Sequence, residues 1–72
     1  MGERLTEAQR RFMVRLERLG GFASLTELGP QMTQEENSAR QRCRRRGWVI
    51  FSAGYWRMTP AGRSLLKENP NG

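Results

Sequence analysis

A chain of 72 residues has room for one domain, and a domain this small buries only about 60% of the surface its extended chain exposes. Its 13 basic and 7 acidic residues give a net charge of +6, and a lone cysteine with no histidine excludes an intramolecular disulfide and offers no metal-ligand set. No apolar run approaches the ~20 residues of a membrane span, and Met1-Gly2-Glu3-Arg4-Leu5-Thr6 lacks the apolar segment of a signal peptide, so a cytoplasmic protein is expected.

Thr6 is a good N-cap, and Glu7 follows in the first turn, where the helix dipole favours negative charge. Ala8, Phe12, Leu16 and Leu19 recur at helical spacing with Met13 beside them, while Arg10, Arg11, Arg15 and Arg18 populate the other side. Gly20-Gly21 stops this first helix, expected over residues 7–19, and Val14, roughly opposite Phe12, is expected at the surface. Phe22-Ala23 reads as a short extended piece. Ser24 then caps a second, short helix with Leu25 and Leu28 facing inward, and Glu27 three residues on completes a capping box. Gly29-Pro30 breaks the chain before Thr33, which with Glu36 repeats the capping box ahead of a third helix closed by Gly47. Two capped helices around a tight break outline a helix-turn-helix.

At Trp48 the periodicity changes. Trp48-Val49-Ile50-Phe51 and Tyr55-Trp56-Arg57-Met58 are β-branched and aromatic runs split by Ser52-Ala53-Gly54, which reads as a hairpin with a short loop. Trp56 shares strand parity with Met58 and is expected in the core with Trp48, not stacked on unpaired bases. Pro60 suits the first helical position after a Thr59 cap, and Leu65-Leu66 carry a last short helix. The expected fold class is therefore α+β: mainly α, with a three-helix core, a small β-hairpin and a short C-terminal helix. Residues 5–66 form one domain in this reading, with 1–4 and 67–72 as flexible termini.

Lys67 is the only lysine, so twelve of the 13 basic residues are arginine, and residues 40–46 hold five of them with no acid between. With the third helix drawn at about 100° per residue, Met32, Glu36, Ala39 and Cys43 gather on one side. Gln34, Asn37, Gln41, Arg44 and Arg45 point away, with Ser38 beside them. Such a face is amide-rich toward its N-terminus and arginine-rich toward its C-terminus. Asn and Gln pair bidentately with adenine, and Arg with guanine or with phosphate oxygens. A solvated polar surface is the bland alternative, but five uncompensated arginines repel one another, and a polyanionic partner is a reason to keep them. Cys43 takes a core slot as a small hydrophobe; Arg42 and Arg44 would activate its thiol only if it were exposed. No base stands near Cys43 to form a nucleophilic pair, and Glu35-Glu36 suit the helix dipole better than catalysis, so no enzyme and no cofactor are expected.

In order and spacing, Cys43-Arg44-Arg45-Arg46-Gly47-Trp48-Val49, the hairpin and Met58-Thr59-Pro60-Ala61-Gly62-Arg63 resemble the winged helix-turn-helix superfamily, in which a recognition helix ends in Gly, a hairpin wing follows and Leu-Thr-x-x-Gly starts a helix. The resemblance covers residues 5–66. It implies a DNA-binding transcription regulator with helix 33–46 in the major groove and a short wing at 52–55 against the backbone or minor groove. Gln34, Asn37, Ser38 and Gln41 become base readers; Arg40, Arg42, Arg44, Arg45 and Arg57 become phosphate contacts, with Tyr55 at the wing edge. Double-stranded DNA is the implied partner, met by a homodimer or several copies, with Val14, Leu5 and Leu65-Leu66 as the surfaces for self-association. The chain departs from the family in having Cys43 where Leu is usual, no charge at the wing tip, and none of the flanking dimerisation helices of MarR-like regulators. A small, nucleoid-associated regulator of the kind found in phages and mobile elements is the nearest analogy. The alternative is a winged-helix protein-interaction module that binds a polymerase subunit, a repressor or another acidic protein surface. DNA binding predicts that Arg40, Arg44, Arg45 and Arg57 converge with Gln41; a protein partner predicts an exposed apolar patch of Val14 with Phe51 or Tyr55.

Overall fold

Three helices start on the same device. In the computed structural model, which describes residues 4–29 and 33–68, the hydroxyls of Thr6, Ser24 and Thr33 each accept the backbone N–H three residues on, and the side chains of Gln9, Glu27 and Glu36 reach back to the cap N–H. The elements run α1 (Glu7–Arg18), β1 (Phe22–Ser24), α2 (Leu25–Leu28), α3 (Gln34–Arg45), β2 (Val49–Ser52), β3 (Tyr55–Met58) and α4 (Pro60–Glu68). Among the described residues this is a small α+β domain of four helices and a three-stranded antiparallel sheet. Met32, expected on the inner side of the third helix, lies outside the described residues, as do positions 1–3 and 69–72 of the expected termini.

Where a hairpin was expected, the sheet has the order β1-β3-β2, with Phe22 opposite Arg57 and Ile50 opposite the same residue from the other side. A three-residue strand is too short to announce a pairing partner, so Phe22-Ala23 gave only an extended piece. Strand alternation turns Ala23, Trp56, Val49 and Met58 onto the helices, where Phe12, Met13 and Leu16 of α1, Leu28, Cys43 and Leu65 complete the core. Trp48 and Trp56, 8% and 3% exposed, are both core residues. Trp56 takes an edge-to-face contact from Phe12 at 5.4 Å and a tilted one from Phe51 at 4.7 Å, while its indole Nε1 is buried without an acceptor among the described residues.

Several expected placements are corrected. Leu25 is exposed because α2 is a single turn and only Leu28 reaches the core; Leu19 is exposed because α1 ends at Arg18 and Leu19 is its cap. Val14 is half-buried, and Leu5, Leu65 and Leu66, expected as association surfaces, pack within the domain instead. α4 extends through Glu68, two residues past the expected domain end. No described helix is long and apolar enough to cross a membrane.

The start of α4 clamps the end of α3. The Thr59 hydroxyl lies 2.7 Å from the Gly47 carbonyl oxygen and 2.9 Å from that of Trp48, and it accepts the Gly62 N–H at 3.0 Å. Thr59 N–H also donates to the Trp48 carbonyl at 3.1 Å. These bonds hold β2 in line with the exit of α3, and with it the angle between α3 and the hairpin.

Candidate nucleic-acid interface

α3 is anchored along one stripe, Ala39, Arg40 and Cys43, and its first turn carries Glu35 and Glu36 where the helix dipole favours them. Gln34, Asn37, Ser38, Gln41, Arg42, Arg44 and Arg45 are all exposed. Among the described residues, none of Arg42, Arg44 and Arg45 forms an ion pair. Ser38, Gln41, Arg42 and Arg45 border a shallow groove whose far wall is the start of α1, at Thr6 and Gln9. This face offers amide donors and acceptors at one end and unneutralised guanidinium groups at the other, as the sequence predicts.

Arg40 corrects the expected phosphate set. It is 5% exposed, and its guanidinium lies 5.3 Å from the Phe12 ring centroid. The reason is angular: position 40 follows Ala39 by about 100° and stands three residues before Cys43, on the flank of the buried stripe. The guanidinium itself is drawn inward with the stem, and its Nη1 is buried. Arg40 therefore adds no charge to the outward face.

Arg57 is displaced in another sense. Arg44 lies 5.7 Å from the ring of Phe51, which pairs with Trp56 on the helix-facing side of the sheet. Arg57, the next residue along β3, turns to the opposite side, where its guanidinium sits 5.3 Å from the Phe22 ring. Arg44 and Arg57 thus approach the sheet from opposite faces, and the four arginines expected to converge with Gln41 do not. Tyr55 shares the outer face with Arg57 and stacks on Phe22 at 4.6 Å with 9° between the rings. The turn between them and β2, Ala53-Gly54, carries no charge.

This outer sheet face has a character of its own. Phe22, Ile50 and Tyr55 are 43%, 51% and 40% exposed around Arg57, making an apolar patch. Its composition differs from the expected Val14 with Phe51 or Tyr55, since Val14 and Phe51 are half-buried. Phe22 and Ile50 were missed as surface groups. The signal for Ile50 was period-two alternation along β2; for Phe22 there was none.

Cys43 is fully buried, and burial outweighs a backbone hydrogen bond to push its thiol up to about 12, so the flanking arginines do not activate it. Among the described residues no three of His, Cys, Asp and Glu gather as a metal site. Comparison of the chain with protein-family models, with curated proteins and with solved structures gives no match.

Proposed function

We propose that the protein is a winged helix-turn-helix transcription regulator that binds duplex DNA by placing α3 in the major groove. The observation that carries this reading is the outward face of α3: four exposed amide or hydroxyl side chains (Gln34, Asn37, Ser38, Gln41) beside three exposed arginines without ion pairs among the described residues (Arg42, Arg44, Arg45). The amides and Ser38 are the base-reading group, and the arginines are the phosphate-contacting group. The β2–β3 turn acts as a short uncharged wing edged by Ser52 and Tyr55, and Arg40 and Arg57 do not join the face, so affinity rests on α3. A single module of this kind buries roughly 600–1,000 Å² on DNA, and tight operator binding then requires two or more copies. Such a regulator works at the nucleoid, in the cytoplasm.

The test is fluorescence anisotropy with a random-sequence duplex of about 30 base pairs, titrated across salt beside heparin. Binding to the duplex in preference to heparin, with a steep log–log salt dependence, is the expected result. Negligible duplex affinity at low salt sinks the proposal.

A second reading has its own observation, the apolar outer face of the sheet. Phe22, Ile50 and Tyr55 around Arg57 suit a partner segment that brings an apolar side chain and a carboxylate, and this favours a protein-interaction module. Duplex binding that survives Ile50→Glu unchanged, with no other phenotype for that variant, removes this reading.

A further inference from the structure

On the other flank of the α1–α3 packing lies a cleft of about 660 Å³, within the range of small-molecule sites (roughly 300–1,000 Å³). Arg10, Arg11, Arg15 and Arg18 of α1 and Arg40 of α3 line it, against Glu7, Glu35 and Glu36. Five positive and three negative groups leave an excess of two positive charges. Glu7 is held by Arg11 at 2.6 Å, and the Glu36 carboxylate accepts the Thr33 N–H at 3.0 Å. Phe12, Val14 and Leu28 supply an apolar wall.

Two guanidinium nitrogens of this group, Arg40 Nη1 and Arg10 Nε, are buried without a hydrogen-bond partner among the described residues. Burial holds the Arg40 guanidinium below its ordinary pKa, with Glu36 opposing and Arg15 adding to the effect, yet arginine keeps its proton in proteins. A buried cation with no ion pair among the described residues is costly, and Glu36 and the Phe12 ring replace only part of the lost hydration. An apolar side chain of similar length would fill the slot more favourably. The charge at position 40 is thus a cost to the unliganded fold, and an anion brought from outside would remove it.

We propose that this cleft binds a phosphate group, with Arg40 at its floor and Arg10 and Arg15 at its sides. A phosphate near neutral pH carries about −1.5 to −2 charges, which matches the excess of the cleft, whereas one carboxylate neutralises half of it. Phosphate entering the cleft meets Arg40, which lines it, and a rotation of the terminal torsion would bring Nη1 onto the oxyanion. The source is either free inorganic phosphate or a phosphoryl group on a small apolar body that Phe12, Val14 and Leu28 cover. Arg42 and Arg45 do not line this cleft, so the site stands apart from the outward face of α3.

The test is a titration of the whole chain at constant ionic strength with sodium phosphate and, separately, phenyl phosphate, followed by NMR and thermal unfolding. Saturable shifts at Phe12, Leu28 and Arg40 are expected, with a Tm rise of about 5–10 °C at tenfold excess over Kd. Saturation by sodium phosphate identifies the free ion, and saturation by phenyl phosphate alone identifies a phosphoryl group on an apolar body. Arg40→Met should raise the unliganded Tm and weaken binding roughly 10–100-fold. Arg15→Ala, an exposed change that removes one long bond to the Glu27 carbonyl at 3.4 Å, should weaken it roughly two- to fivefold and carries the test if Arg40→Met does not fold. No saturable response to either compound overturns the proposal. So do an undiminished response in the folded variants and shifts that map to Arg42 and Arg45 instead of the cleft.

Discussion

Gly62 lies so close beneath Trp48 that a β-carbon on it would overlap the Trp48 carbonyl oxygen. The contact is backbone against backbone, so no side-chain rotation relieves it, and Thr59 ties the same carbonyl. Alanine would gain about 1 kcal/mol in helix propensity at an ordinary helical site. Here the overlap outweighs that gain, and Gly62→Ala should destabilise the domain by about 2–3 kcal/mol, lowering Tm by roughly 10–20 °C. Thermal unfolding by circular dichroism checks this; a Tm equal to wild type would mean that α4 docks elsewhere.

The hairpin turn contains a correctable strain. Ala53 and Gly54, the two residues between β2 and β3, both have positive φ, 54° and 81°, as a type I′ turn requires. The left-handed region costs a β-carbon-bearing residue about 1–2 kcal/mol, and asparagine tolerates it best. Ala53→Asn should raise stability by about 0.5–1 kcal/mol, seen as a higher midpoint in urea with an unchanged m-value. A lowered midpoint contradicts the turn assignment.

Cys43 makes the fold sensitive to alkali. Its thiol is raised from an ordinary value near 9 to about 12 by burial, so the unfolded chain releases a proton over that interval while the native chain does not. The unfolded state is then favoured as pH rises: this contribution is intact below about pH 9 and falls by about 1.4 kcal/mol per pH unit up to about 12. Cys43→Ala should flatten the pH dependence in that window. At pH 8 a thiol reagent should label native protein at the rate of its opening, far slower than urea-unfolded chain.

On the DNA reading, the arginines should separate by face. Arg45→Ala should weaken binding to all duplexes and reduce the salt slope by about one, while Arg57→Ala, on the far side of the sheet, should leave that slope unchanged. Gln41→Ala should relax sequence preference and leave affinity for random duplex nearly intact. Equal losses for Arg45→Ala and Arg57→Ala would place the sheet's outer face against DNA as well.

The helices, their caps, the hairpin and most of the core were legible in the sequence because each depends on local spacing. Ser24 with Glu27 and Thr33 with Glu36 lie one turn apart, and Trp56 and Met58 share strand parity, so a short window contains the whole interaction. The outward face of α3 was legible for the same reason, since Gln34, Gln41 and Arg45 follow from helical period alone. Arg40 was not. Its wheel position on the flank of the stripe fits either surface or interior, and only the approach of Phe12 from α1 decided for the interior. The side of the sheet taken by Arg57 follows from alternation once Trp56 faces inward, but its contact with Phe22 does not, because that depends on β1 pairing with β3 across more than thirty residues of chain. Periodicity within an element thus determined which residues share a face. The tertiary packing alone decided which faces meet, and so which arginines reach solvent and which remain buried as unpaired charge.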